Sequence, residues 1–194
     1  MIGFNVIGRC GVLLLSLSLL GCQGNLKNRA EVYSYIQNKD NGVLDVKENN
    51  GVTVTMSYIP KKLIFNSAEK AQAAEYLYFR LLYQIDGKDM LSSVPQNSYS
   101  VLLNRLSFKL GDYLSLSRGG KREEIADYQF SPTFGTTNAS EVIVSIEAGK
   151  LTEESEIVFK LNDIGLGIPD YEFKFDKRSL DRLEDLTQEL ETQD

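Results

Sequence analysis

VLDVKENNGVTVTMSYI, residues 43–59, decides the architecture. At its centre stand Asn50 and Gly51, and beyond them Val52, Val54, Met56 and Tyr58 alternate with Thr53, Thr55 and Ser57. Period-two alternation places one set on a buried face and the other on the opposite face of a strand. Asn-Gly between two such runs predicts a type I′ hairpin, because both central residues of that turn need positive φ. Val43 to Glu48 is the first strand and Val52 to Ile59 the second. Pro60 has no N–H to donate to a ladder and ends the second strand.

Working outward, Ala30 to Gln37 has Val32, Tyr33 and Ile36 at helical spacing, and Asn41-Gly42 closes it. On the other side, Asn66 to Tyr76 is Ala-rich, and Asn66 with Glu69 forms a capping-box pattern for a helix. Phe79, Leu81, Tyr83 and Ile85 then alternate with polar neighbours, which favours a strand over an extension of that helix. Asp86-Gly87 is a turn. Tyr99, Leu102, Leu103, Leu106 and Leu110 mark a helix, with Gly111 read as its C-terminal cap. Further on, Asp112 to Ser117 and Glu124 to Phe130 bracket a turn at residues 118–121. Strands follow around Val142, Val144 and Ile146, around Ile157, Phe159 and Leu161, and around Tyr171, Phe173 and Phe175. A last helix from Ser179 carries Leu180, Leu183, Leu186 and Leu190. The expected class is α+β, mainly antiparallel β: a sandwich or curled sheet of about eight strands with a few short helices. Without repeats or Pro-rich linkers, residues 29–194 read as one domain.

The composition bounds the chemistry. The chain has 194 residues, 42% of them hydrophobic, enough for a core without disulfides. Its two cysteines, Cys10 and Cys22, both lie near the N-terminus, and it has no His. Ser-His-Asp and Cys-His nucleophilic machinery is therefore excluded, as are His-containing zinc sites. A net charge of −6 argues against nucleic acid as a partner, since that binding draws on clustered Lys and Arg.

The N-terminus reads as an address. Arg9 is the one charge before Lys27, and GVLLLSLSLLGC, residues 11–22, follows it. A basic start, an apolar core of about ten residues and a small residue before the cut form a secretory signal. The run is shorter than the roughly 20 residues a membrane span needs. Leu19-Leu20-Gly21-Cys22 resembles the lipobox of bacterial lipoproteins, with Leu20 a less typical second residue. The resemblance implies cleavage between Gly21 and Cys22, two acyl chains on the Cys22 thiol and commonly a third on its amine. Residues 1–21 are then a lipoprotein signal peptide and residues 22–28 the lipidated cysteine with a short tether. Loss of Arg9 takes the net side-chain charge from −6 to −7, so acyl chains rather than a basic body would hold the domain at the bilayer. The mature part loosely resembles uncharacterised lipoproteins of the Bacteroidota, which implies an envelope setting, most simply the outer membrane, and no particular activity.

Several clusters invite a chemical reading. Glu123-Glu124 and Glu153-Glu154-Glu156 are the densest carboxylate runs, but neighbours on a strand point to opposite faces, and a glycosidase needs two carboxyls converging in a cleft. The 118–122 loop, Arg-Gly-Gly-Lys-Arg, is basic and Gly-containing yet lacks the phosphate-loop pattern. Gly165-Leu166-Gly167 reads as a turn. The 38–42 and 86–89 loops could each hold a lone Ca²⁺ but lack EF-hand spacing. Tyr33 and Tyr35 near the tether are candidates for an aromatic platform, and the polar loop from Ser131 to Ser140 for a binding edge. No motif calls for a cofactor or a structural metal. The expected role is a membrane-anchored, non-enzymatic binding, scaffolding or assembly module, with the membrane and an envelope protein complex as partners. The alternative is an Asp/Glu-dependent hydrolase of envelope glycans or other polymers.

Overall fold

In a computed structural model, residues 24–65, 75–118, 121–133, 135–149, 151 and 155–190 are described. The 43–59 stretch folds as its turn residues demand. β1 (Leu44–Asn49) and β2 (Val52–Ile59) pair antiparallel with Asn49 opposite Val52. Asn50 and Gly51 take φ of +48° and +80° between them. Asp86 and Gly87 repeat the device, at +49° and +74°, between β3 (Tyr76–Ile85) and the two-residue β4 (Lys88–Asp89). The two turns abut, the Asp86 N–H donating to the Gly51 carbonyl at 2.8 Å.

Alternation in β3 buries Leu77, Phe79, Leu81 and Tyr83 and confirms a strand. β3 lies at the middle of the larger sheet, whose order is β1-β2-β3-β8-β7, with β4 on the end of β3. Here β7 is Asp127–Phe130 and β8 is Ser140–Glu147. The smaller sheet runs β10 (Tyr171–Asp176), β9 (Glu156–Leu161), β5 (Leu114–Arg118), β6 (Lys121–Glu123). All pairings are antiparallel.

The inner faces meet in an aromatic cluster. Phe79 of the larger sheet lies 4.8 Å from Phe159 and 5.1 Å from Phe175 of the smaller, ring centre to ring centre. At one corner the sheets touch edge to edge, the Lys174 N–H donating to Asp45 Oδ2 at 3.3 Å. At the other, residues 124–126 carry the chain across from β6 to β7, with Ile125 buried. The result is a pair of antiparallel sheets curled around one core and left unclosed, the α+β class expected.

Six α-helices among the described residues finish the core. α1 (Arg29–Gln37) is capped reciprocally: Asn28 Oδ1 accepts from the Glu31 N–H, and Glu31 Oε1 accepts from Asn28 Nδ2. The short α2 (Lys61–Ile64) follows Pro60. α3 (Met90–Ser93), α4 (Gln96–Phe108) and α5 (Leu110–Tyr113) bury Met90, Leu91, Leu102, Leu106 and Leu110 at the Tyr83 end. Arg105 of α4 ties them to the loop after β9, donating to the Ile164 carbonyl at 2.6 Å. α6 (Lys177–Leu186) closes the Tyr58 end with Leu180, Leu183 and Leu186.

Four expectations change. Glu124 to Phe130 is not one strand pairing across the 118–121 turn. β6 takes that place, and β7 belongs to the other sheet, because Ile125 turns inward at the corner. Gly111 is no cap; it lies inside α5, and Lys109 ends α4 with φ −131°. The last helix stops at Leu186, although Leu190 stays buried beyond it. The described residues form ten strands where about eight were expected, the additions being short. The helix expected from Asn66 lies outside the described residues, except that Tyr76 already belongs to β3.

Candidate functional site: a groove on the outer face of the larger sheet

The residues of β3 that do not face the core include Tyr76, Tyr78, Arg80 and Leu82. Register sets them beside Thr55, Ser57 and Ile59 of β2 on one side, and beside Glu141, Ile143, Ser145 and Glu147 of β8 on the other. β7 adds Asp127 and Gln129. Two elements wall this face. α1 brings the Tyr33 ring to 5.6 Å from the Arg80 guanidinium, and the residue after α2, Phe65, sets its ring edge-on to Tyr78 at 4.9 Å.

Two depressions lie between and beyond these walls. The tighter, about 140 Å³, is lined among the described residues by Phe65, Tyr78, Ile143, Gln129, Ser145 and Asp127, together with Ile64 and Tyr128. The wider, about 580 Å³, opens between Glu75, Tyr76, Glu147, Ala148 and Gly149. Carboxylates flank Arg80 in both directions along the face, Glu75 and Glu147 at the Tyr76 end and Glu141 opposite Leu82 at the other. Burial, with a smaller contribution from Tyr76, raises the pKa of the Tyr78 hydroxyl, so it stays neutral at ordinary pH and can donate or accept.

Arg80 is the anomalous member. Its Nε is buried without a hydrogen-bond partner among the described residues, and so is Ser57 Oγ on the residue paired with it across the strands. Its contact with the Tyr33 ring contributes only about 0.5–2 kcal/mol. Buried polar groups are nearly always satisfied, so two orphans side by side call for an explanation.

No protein-family model matches the chain, and no curated protein matches it. Among solved structures, a DUF4426 family protein from Pseudomonas aeruginosa aligns with a TM-score of 0.34 at 10% identity, over 69% of this chain and 91% of that one. So weak an overlap assigns neither family nor function.

The clusters read from the sequence are mostly absorbed by local structure. Asp89 is 3% exposed and accepts from the Ser92 N–H at 3.0 Å and from Ser140 Oγ at 2.5 Å, so it caps α3 instead of ligating an ion. Residues 39–41 form a 3-10 turn whose Asn38 side chain accepts from the Asp40 N–H. The N–H groups of Gly165, Leu166 and Gly167 converge at 2.8–2.9 Å on the Asp163 carboxylate, so that anion nest is filled by the chain itself. The β5–β6 hairpin pairs Arg118 with Lys121; Gly119 and Gly120 lie outside the described residues. Thr133, Thr136 and Thr137 of the polar loop bond to one another and to its own backbone. Glu123 ends β6, Glu124 follows it exposed, and Glu156 opens β9 opposite Asp176; none lines the groove. Tyr35 is core, while Tyr33 is a wall of the site. Gly21, Cys22, Glu153 and Glu154 lie outside the described residues.

Glu75, Glu147, Tyr78 and Arg80 were missed. Alternation in β3 does set Tyr76, Tyr78 and Arg80 on one face, but Glu147 reaches them only through the β3–β8 register.

Proposed function

We propose that the chain is an envelope lipoprotein, anchored by acyl chains on Cys22, whose domain is a non-enzymatic binding, scaffolding or assembly module at the outer membrane. The Leu19-Leu20-Gly21-Cys22 string carries the reading, and the course of the chain just after it adds support. A tether from Gln23 to Asn28 would extend about 20 Å. Yet the Leu26 N–H donates to the Leu186 carbonyl at 2.8 Å, and Leu26 packs partly buried against the core. Three residues then separate the acylated cysteine from the docked chain, a reach of about 14 Å. Such a domain rides against the bilayer, and its partners are membrane and envelope proteins rather than nucleic acid. Metabolic labelling with an alkyne fatty acid tests this. Wild type takes up label and loses residues 1–21, whereas Cys22→Ser takes up none and keeps them; label retained in Cys22→Ser refutes the anchor.

One observation favours a second reading, a hydrolase working with carboxylates alone. Glu75 and Glu147 line the same open hollow, as an acid and a base on a glycosidic bond would. Release of sugars from a purified envelope glycan, lost in both Glu75→Gln and Glu147→Gln, would establish it.

A further inference from the structure

We infer that the cleft between Tyr78 and Asp127 binds a small organic monocation: a primary ammonium on an apolar body about the size of one ring. The body lies against Phe65, Tyr78 and Ile143, and the ammonium pairs with the Asp127 carboxylate. This deepens the reading of the domain as a binding module by naming its ligand class, and it does not depend on how the domain is anchored.

The cleft follows from one cross-strand row. Tyr78 of β3 pairs with Ser145 of β8, and Ser145 pairs with Asp127 of β7. Alternation puts all three on the outer face. The short, buried Ser145 therefore lies between a ring and a carboxylate, and a trough two strand spacings wide, about 10 Å, opens over it. Phe65 raises the Tyr78 wall, its ring edge-on at 4.9 Å, and Ile143 adds apolar surface beside it. The volume of about 140 Å³ is close to the roughly 150 Å³ that accommodates benzene. Charge then decides what the apolar body carries. Asp127 is exposed and forms no ion pair with a described residue; its Oδ1 accepts from the Tyr128 N–H at 2.8 Å, and no described residue donates to Oδ2. By strand spacing and rise, Glu147 stands about 8 Å from Asp127, Arg80 about 12 Å and Glu141 about 14 Å. The nearest of these is a second carboxylate. The Arg80 position lies beyond a Debye length of about 8–10 Å, and its guanidinium is engaged with the Tyr33 ring. Neither Arg80 nor Ser57 lines the cleft, and neither do Lys61 and Lys62 of α2, which have interactions of their own. An anion entering the cleft would meet Asp127 and then Glu147. An ammonium meets Asp127 and the Phe65 and Tyr78 rings, whose faces favour a cation. A single carboxylate among the described lining residues matches a single positive charge.

The full chain in phosphatidylcholine nanodiscs, with empty nanodiscs as control, is titrated calorimetrically at pH 7 with 2-phenylethylammonium, 2-phenylethanol, ethylammonium and 3-phenylpropionate. Saturable binding of 2-phenylethylammonium is expected. The alcohol, which lacks the charge, should bind about five-fold more weakly. Ethylammonium, which lacks the ring, should bind weaker by about ten-fold or more, and 3-phenylpropionate weakest of all. Asp127→Asn keeps an oxygen for the Tyr128 N–H; in it, 2-phenylethylammonium should fall to the level of the alcohol while the alcohol itself binds as in wild type, a readout that separates lost charge from lost fold. Equal binding of the ammonium and the alcohol by wild type overturns the inference without any variant. So does equal binding of the ammonium and the carboxylate, equal binding of the two ammonium ions, absence of saturation, or full binding by a folded Asp127→Asn. Because Cys22 plays no part in these titrations, their failure leaves the lipoprotein reading standing, and failure of fatty-acid labelling leaves this inference standing. Sugar release that depends on Glu75 and Glu147 would overturn the binding-module reading by a separate assay.

Discussion

Two buried tyrosines make a paired test of how the core is held. Tyr58 on β2 and Tyr83 on β3 are both fully buried. Tyr58 Oη donates to Glu184 Oε1 at 2.5 Å, and the same oxygen accepts from the Lys61 N–H at 3.1 Å, so the pair clamps α6 and α2 to the sheet. Tyr83 Oη has no partner among the described residues. One substitution therefore has two outcomes. Tyr58→Phe removes a charge-assisted bond and should cost about 1.5–3 kcal/mol. Tyr83→Phe removes a hydroxyl whose unsatisfied burial costs about 1–3 kcal/mol, so it should be neutral or stabilising. Urea denaturation at pH 7 reads both, and equal losses would refute the hydrogen-bond assignment. Alkaline pH adds a second axis. Burial first, then Glu184, raises the Tyr58 pKa well above its ordinary 10.0; burial first, then Asp163, raises that of Tyr83. A raised folded pKa gives stability that is complete below pH 10 and is lost above it, because the unfolded chain then releases protons that the folded chain retains. Each tyrosine contributes a fall of about 1.4 kcal/mol between pH 9 and pH 11, and the pair about 2.8 kcal/mol. Either Phe variant should lose about 1.4 kcal/mol less than wild type over that interval. An interval loss identical in wild type and variants would contradict the burial of both hydroxyls.

Three further substitutions probe other parts of the fold. Phe79→Ala removes the ring that meets Tyr58, Phe159 and Phe175, and guanidinium denaturation should show a loss of about 3–5 kcal/mol. Gly51→Ala puts a side chain at φ +80° with Asp86 Oδ1 2.6 Å from the new Cβ; a loss of more than about 1 kcal/mol is expected. Asp163→Ala strips the acceptor from three backbone N–H groups, so hydrogen exchange at residues 165–167 should accelerate, with a stability loss of about 1–3 kcal/mol.

What the sequence disclosed, and what it hid, follows from the range of each interaction. The β1–β2 hairpin was legible because Asn50 and Gly51 are adjacent and their backbone needs are local. Alternation likewise identified β3, β8, β9 and β10. Period two names a face but no partner, so the run from Glu124 to Phe130 concealed a change of sheet at Ile125. Gly111 looked like a cap because a helical glycine and a capping glycine have the same spelling; only the backbone at Lys109 tells them apart. Leu190 extended the apolar stripe past the end of α6, where Thr187 instead bonds back to Leu183 and Glu184. The groove was half visible. Tyr76, Tyr78 and Arg80 could be put on one face, but Tyr33, Phe65 and Glu147 arrive from elements far apart in the chain. The lipobox belongs to the part of the account that sequence alone carries.

That part is open to a direct measurement: intact and N-terminal-fragment mass spectrometry of the protein extracted from its own envelope. The account predicts a mature chain that begins at Cys22 and carries two or three acyl chains on that residue. A chain that retains residues 1–21, or that begins at another residue without acyl groups, would contradict it.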